Sequence, residues 1–327
     1  MSFKRKHLVC LWCDDTHITY AYVDVNSLQL NLNHHLGNLN KWLISTKLTL
    51  TAKTGFMLIG SRQKLSTLSS QPELSINNIP IEKVTLLKSL GIFIDENLQW
   101  QTHINKLFKK IASGIGAIKR MRDFVPTPTL HYIYNALIQC QFNDIDCNIV
   151  WGNCGKTLFD RLHKLQNSAA RVLTFSRYDA DANHLFRQLN WKDLSTQFQI
   201  EKAVMVYKPL NDLVPGYLPS KLVEQYEMRY SLKDSVNKLI FIIPFPQTNF
   251  MKNSFSYSRA VLWNSLPCDM REAKSLSQFK RLAHLNFWFF KYCVHGIHEK
   301  QVLVGLVVDS FACTYIFLYT PDECYRI

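Results

Sequence analysis

A chain of 327 residues that is 47% hydrophobic and 13% aromatic can bury the cores of two modest domains, which excludes wholesale disorder. Its 38 Lys+Arg against 25 Asp+Glu give a formal charge of +13, a balance that favours a polyanionic partner, either nucleic acid or an acidic membrane surface. Nine scattered cysteines and the lack of a recognisable secretory leader predict reduced thiols in an intracellular protein, nuclear or cytoplasmic, rather than a disulfide scaffold.

Residues 8–24 alternate in the manner of a hairpin, with β-prone Ile18, Tyr20 and Tyr22 after a turn at Cys13-Asp14-Asp15-Thr16. Over residues 27–45 the apolar positions Leu28, Leu32, Leu36, Leu39, Trp42 and Leu43 predict an amphipathic helix with Ser27 as its N-cap. Short β-like runs follow at 48–50 and 56–59. Ile76 and Ile79 flank Asn77-Asn78, a pair suited to a tight hairpin turn, and residues 90–94 read as a further strand.

After Asp95 the periodicity becomes helical, broken by prolines from Pro126 to Pro267. Ile104, Leu107, Phe108, Ile111, Ile115, Ile118 and Met121 share one helical face. Lys106, Lys109, Lys110, Lys119, Arg120 and Arg122 supply the rest, with no acid before Asp123. A second such helix, residues 158–173, pairs apolar Leu158, Leu162, Leu165, Ala169 and Val172 with basic Arg161, Lys164 and Arg171.

The tail differs in kind. Residues 287–290 and 302–319 are strongly hydrophobic, and the second run reaches the lower limit for a membrane span. Asp309 near its centre would cost roughly 2.5–3.5 kcal/mol there, so the span is a weak one. The fold class expected is α+β: a small unit over residues 1–95, a mainly helical one over 96–285, and a hydrophobic tail of unassigned role over 286–327.

Adjacent carboxylates such as Asp14 and Asp15 point apart on a regular strand and converge on a hard divalent cation only across a tight turn. Taken alone, an Asp-Asp pair is most often a solvated turn. Cys10 and Cys13 have a zinc-like spacing, and Cys140, Cys147 and Cys154 recur ahead of His163, but no second close pair completes a tetrahedral site. Buried thiols are the expectation there, and His34-His35 receives no role.

The order of the segments downstream gives Asp14-Asp15 its meaning. Leu11-Trp12-Cys13-Asp14-Asp15-Thr16 resembles the Phe-Ala-Asp-Asp-Thr active-site box of reverse transcriptases from jockey-like LINE (non-LTR) retrotransposons, with Cys13 in place of the small alanine. Leu39-Asn40-Lys41-Trp42-Leu43 and Lys47-Leu48 resemble the segment after the box, and Lys53-Thr54 its Lys-Thr signature. Ser89-Leu90-Gly91-Ile92-Phe93-Ile94-Asp95 is similar to the Leu-Gly-hydrophobic-Asp block, followed by Leu98, Trp100, His103 and Ile104. Tyr134, Leu137, Ile138, Trp151-Gly152, Leu165-Gln166, Ala170-Arg171 and Trp263-Asn264-Ser265-Leu266-Pro267 continue the match in the same order, to about residue 285.

This resemblance implies a partial polymerase palm, residues 1–95, and a helical thumb and C-terminal region, residues 96–285. In the intact family Asp14 and Asp15 would be catalytic ligands of Mg²⁺ in two-metal nucleotidyl transfer, with Lys53 near the incoming deoxynucleotide phosphates. Gly91 would lie in the strand that grips the primer. Lys106, Lys109, Lys110, Lys119 and Arg120 would contact the backbone of an RNA·DNA duplex formed by RNA template and DNA primer. The family's third palm carboxylate and its fingers precede the box, so the 327 residues as they stand are expected to be an inactive fragment of an RNA-directed DNA polymerase. Two other readings are open: a catalytically dead nucleic-acid-binding remnant, and a membrane-associated protein built on the tail.

Overall fold

The computed structural model describes residues 7–12, 15–22, 25–47, 54–68, 70–89, 91–142, 148–214, 240, 241, 243, 245, 246, 252–293 and 314–320. Within 7–19, at 21, 22, 148 and 149, and within 287–293 and 314–320 it describes the backbone alone. The chain divides into two units, residues 1–103 with 307–327, and residues 104–306.

In the first unit β1 (His7–Trp12) and β2 (Asp15–Tyr22) pair antiparallel, with Trp12 opposite Asp15. The hairpin expected over residues 8–24 is therefore present. Its sheet continues through β9 (Thr314–Thr320), β3 (Gly55–Ile59) and β6 (Glu82–Lys83) in the order β1-β2-β9-β3-β6, and only β3 and β6 run parallel. Helix α1 (Val25–Ser45) buries Leu28, Leu32 and Leu36, spaced by one turn, against Tyr20, Phe56, Leu58, Leu74 and Ile76. The helix begins ahead of Ser27, which lies inside it and accepts a 2.7 Å hydrogen bond at its carbonyl from Asn31 rather than capping. Trp42, expected on the apolar face, is 44% exposed. The run 48–50 lies outside the described residues.

Short α2 (Arg62–Ser66) is capped by the Ser61 hydroxyl, which accepts from the Lys64 N–H. Between β4 (Ser75–Ile76) and β5 (Ile79–Pro80), Asn77 and Asn78 have φ of 51° and 61°. Two successive left-handed residues are what a type I′ turn requires, and Asn tolerates them. The run 90–94 is not one strand. Ser89 ends β7 (Leu86–Ser89) opposite Ile92, the first residue of β8 (Ile92–Asp95), and Gly91 in the connection has φ +86°. The left-handed conformation that glycine accepts turns the chain where the apolar pattern predicted continuity.

Asp95 organises the exit from that hairpin. Its Oδ1 accepts from the N–H groups of Asn97 (3.1 Å) and Gln99 (2.9 Å), and its Oδ2 from that of Trp100 (2.7 Å). Leu98 and Trp100, with φ of 50° and 64°, are held in left-handed conformations by this cage.

Part of the tail, left without an assigned role by the sequence, joins the sheet. Residues 314–320 do not continue an apolar helix but form β9, antiparallel to both β2 and β3. Aromatic and β-branched Tyr315, Ile316, Phe317 and Tyr319 favour extended backbone. Residues 302–313, the rest of the candidate span, lie outside the described residues. Among the described residues no helix is long and apolar enough to cross a membrane.

In the second unit α3 (Gln101–Met121) buries Ile104, Leu107, Ile111, Ile115 and Ile118. Next come α4 (Thr127–Tyr134), a π-helical turn over Asn135–Gln139, and α5 (Cys140–Phe142). A Cβ on Gly114 would stand 3.0 Å from Ile138 Cγ1, so this glycine lets the π-turn approach α3 closely. Helices α6 (Asn148–Trp151), α7 (Lys156–Leu173), α8 (Ala182–Gln188) and α9 (Leu194–Leu210) follow, with Asp181 and Asp193 as side-chain N-caps of α8 and α9. One core joins Ile200, Ala203, Val206 and Tyr207 of α9 to Ala260 and Trp263 of α10 (Phe255–Ser265), to Met270 of α11 (Cys268–Arg271), and to Phe279 and Ala283 of α12 (Leu276–Cys293).

Candidate nucleic-acid interface

The Asp-Asp box falls at the junction of the first two strands. Only Cys13 and Asp14 connect β1 to β2, and Asp15 opens β2 directly after that turn. The two strands pair from His7 opposite Tyr20 to Trp12 opposite Asp15. Asp14 and Lys53 themselves lie outside the described residues, as does the side chain of Asp15.

The five basic residues named on α3 are all solvent-exposed. Lys106, Lys109 and Lys110 occupy i, i+3 and i+4 positions, and the same stripe continues through Ser113 and Ala117 to Arg120, whereas Lys119 lies to one side. From Lys106 to Arg120 the stripe runs about 21 Å, on the order of six phosphate steps along one strand. Lys110 donates to Gln141 at 3.5 Å. The opposite face is the Ile104–Ile118 core stripe, so the basic side cannot rotate inward without exposing five buried apolar residues.

Gly91 is exposed, and a Cβ there would meet nothing within 4 Å. Its positive φ serves the β7–β8 turn, and no other atom of the chain crowds the position. Asp95, in the same block, has its carboxylate engaged by three backbone N–H groups and is a structural cap.

Several later blocks also prove to be packing devices. Trp263 is buried, and Asn264 clamps the backbone of Phe241, accepting its N–H at 2.9 Å and donating to its carbonyl at 2.8 Å. Pro267 then starts α11. Tyr134 is buried with its ring stacked on Trp191 at 4.3 Å and its hydroxyl donating to Gln139. Trp151 packs edge-on against Phe198. Among the described cysteines Cys140 is exposed, against the expected buried thiol, because the π-turn points it outward to donate to the Ala136 carbonyl at 2.7 Å. Among the described residues no three of His, Cys, Asp or Glu stand close enough to hold a metal ion.

Two arginines already counted among the basic residues of these helices make contacts that the pattern alone does not specify. Arg161 donates to Asn105 at 2.9 Å and lies over the Phe108 ring at 4.9 Å, locking α7 to α3. Arg122, just past α3, covers the ring of Phe175, just past α7, at 5.1 Å.

Comparison with known proteins gives one informative result. The chain is similar to the probable RNA-directed DNA polymerase from transposon BS of Drosophila melanogaster, 23% identical over 202 residues that cover 60% of this chain and 22% of that protein. The chain thus spans less than a quarter of the length of the curated relative it matches. No family model matches, and no solved structure does.

Proposed function

We propose that this chain carries the active-site hairpin and the duplex-binding helical region of a reverse transcriptase of the non-LTR retrotransposon class. The observation that carries the reading is the box at a two-residue hairpin connection, in a chain similar to a transposon-encoded RNA-directed DNA polymerase. The exposed basic stripe of α3 supports it from the second unit.

On this reading residues 1–95 belong to a palm and residues 96–285 to a thumb and C-terminal region. Asp14 and Asp15 would hold Mg²⁺ at the hairpin tip, the ions supplying charge neutralisation and alignment of primer and triphosphate. Lys53 would lie near the incoming phosphates. Lys106, Lys109, Lys110 and Arg120 would follow the backbone of an RNA·DNA duplex, with Lys119 at its margin and Gly91 beside the primer. Asp14 and Asp15 are two of the three carboxylates the intact family's metal site takes.

Two assays test this. Anisotropy on an RNA·DNA hybrid should give an affinity that falls with salt, and replacing Lys106, Lys109 and Lys110 with alanine should flatten the log–log slope by roughly 0.7–0.9 per residue. A slope unchanged by the triple variant would remove α3 from the interface. Fe²⁺ put in place of Mg²⁺, with added hydrogen peroxide as oxidant and ascorbate to recycle the iron, should cleave the backbone near the bound ion through hydroxyl radical, and Asp14→Ala should abolish that cut while leaving hybrid binding intact. Cleavage that persists in Asp14→Ala would refute the metal assignment.

A further inference from the structure

Two loops that follow long basic helices meet in the second unit and expose aromatic rings. Phe124, after α3, is 87% exposed; Tyr178, after α7, is 92% exposed; and Phe175, in the same loop as Tyr178, is 48% exposed with the Arg122 guanidinium over its face at 5.1 Å. Arg171 lies 5.8 Å over the Tyr178 ring and is fixed there by donating to the Ala180 carbonyl at 3.0 Å. Each exposed ring costs hydration free energy that burial would recover, and exposed rings on two loops joined through Arg122 point to an interaction surface.

The conformation of Phe175 is a second, independent observation. Helix α7 ends at Leu173 with Thr174 as C-cap, and the Ser176 N–H reaches back to the Arg171 carbonyl at 3.0 Å. This is a Schellman closure, and its left-handed position, ordinarily glycine or asparagine, is filled here by Phe175 with φ +54°. A bulky side chain held in that region, half in solvent, is strain that the fold of the loop does not require. What the phenylalanine adds over glycine is a ring, presented between Arg122 and solvent.

We propose that Phe124, Phe175 and Tyr178, with Arg122 and Arg171, form a stacking platform for the unpaired bases of a single-stranded nucleic acid. Every base has a π-face, and aromatic rings interleaved with guanidinium groups are the chemistry that holds unpaired strands without reading their sequence. Charge complementarity favours this occupant: Lys119 and Arg120 in the last turn of α3 add cations beside the rings. Asp123 and Asp179 are each engaged by a neighbouring arginine, at 3.6 Å to Arg122 and 3.5 Å to Arg177. The platform follows directly on the α3 stripe, so it would receive the strand that leaves a duplex bound there; to that extent the inference rests on the reading above.

The test uses the whole chain and three probes: a blunt RNA·DNA hybrid, and the same hybrid with a single-stranded RNA or DNA tail of roughly ten nucleotides carrying 2-aminopurine. Tailed hybrids should bind about tenfold tighter than the blunt one, with quenching of the base analogue. Phe124→Ala and Tyr178→Ala should remove that advantage and leave blunt binding unchanged. Phe175→Gly should do the same with an equal or higher melting temperature, since glycine suits the left-handed position. Equal affinity for blunt and tailed probes would overturn the platform and point to a surface covered by another polypeptide. Tail binding that survives Phe175→Gly while the melting temperature drops would show the ring to be structural. Binding of the tail without any binding of the blunt hybrid would refute the duplex reading and leave the platform standing.

Discussion

The side-chain carbonyl of Gln166, buried on α7, accepts a 2.9 Å hydrogen bond from the backbone N–H of Leu194 at the start of α9, while its amide donates to the Lys192 carbonyl at 2.8 Å. One glutamine thus satisfies two backbone groups at a helix entry that water does not reach. Gln166→Leu keeps the volume and strands both groups, so it should lower the unfolding free energy by about 2–4 kcal/mol. The urea midpoint should fall with m unchanged. A midpoint within error of the parent would mean that the loop before α9 finds other partners.

The two glycines of α3 make opposite predictions. At Gly116 an added Cβ would meet only the end of Arg120, at 3.6 Å, so Gly116→Ala should stabilise by about 0.5–1 kcal/mol through helix propensity. At Gly114 the Cβ would press Ile138 at 3.0 Å, and Leu137 stands behind it at 3.8 Å. Overpacking there outweighs propensity, and Gly114→Ala should cost about 1 kcal/mol net. Thermal unfolding of the two variants side by side checks this; equal melting temperatures would show that the π-turn can slide away from α3.

These contacts also show how far the sequence could be read. The Asn77-Asn78 turn, the hairpin around the Asp-Asp box, and helices α3 and α7 were legible because local chemistry and one-sided periodicity specify them. Gly91 was misread within its apolar run because a hairpin and a buried strand share the same hydrophobic pattern, and only φ distinguishes them. The start of α1 slipped because Ser27 imitates a cap. Strand β9 pairs with partners separated from it by hundreds of residues, and Arg122 meets Phe175 although α4 to α7 intervene in sequence; no local rule announces either. Of the candidate site, the order of the motifs was legible, whereas the division of the later ones into packing devices and ligand contacts was not. Asn264, Tyr134 and Asp95 prove to be packing and capping residues only once their partners are known.

Asp95 gives the third prediction. Asp95→Ala leaves the N–H groups of Asn97, Gln99 and Trp100 without their acceptor, next to two residues in left-handed backbone. The loss should be about 2–3 kcal/mol, and it should be local. Amide hydrogen exchange at Trp100 should accelerate well before that of the α3 core. Uniform acceleration across both units would mean instead that this loop is part of the global unfolding unit.

Stability should also depend on pH through Lys202. Its ammonium is largely buried and donates to Asn153 at 2.6 Å and Ser258 at 3.4 Å, both neutral, and desolvation pulls its pKa down from 10.5 to about 8. Lys192 is shifted to about 8 for the same reason. Because the folded pKa lies below the unfolded one, the unfolded chain holds the proton more tightly between the two values, and stability rises with pH from about 8 towards 10.5. For Lys202 alone the full effect is on the order of 3 kcal/mol. Cys154 acts in the opposite sense: burial raises its thiol from 9.0 to about 11, so its contribution is lost as pH climbs through that interval. The net rise should therefore show most clearly between about pH 8 and 9. Lys202→Met removes the buried charge, so it should be more stable than the parent near neutral pH, and the difference between the two should shrink as pH rises through the window. Melting curves at half-unit intervals measure that difference directly. A gap that stays constant from pH 7 to 10 would mean that Lys202 keeps its proton at an ordinary pKa and that Asn153 and Ser258 solvate it as well as water does.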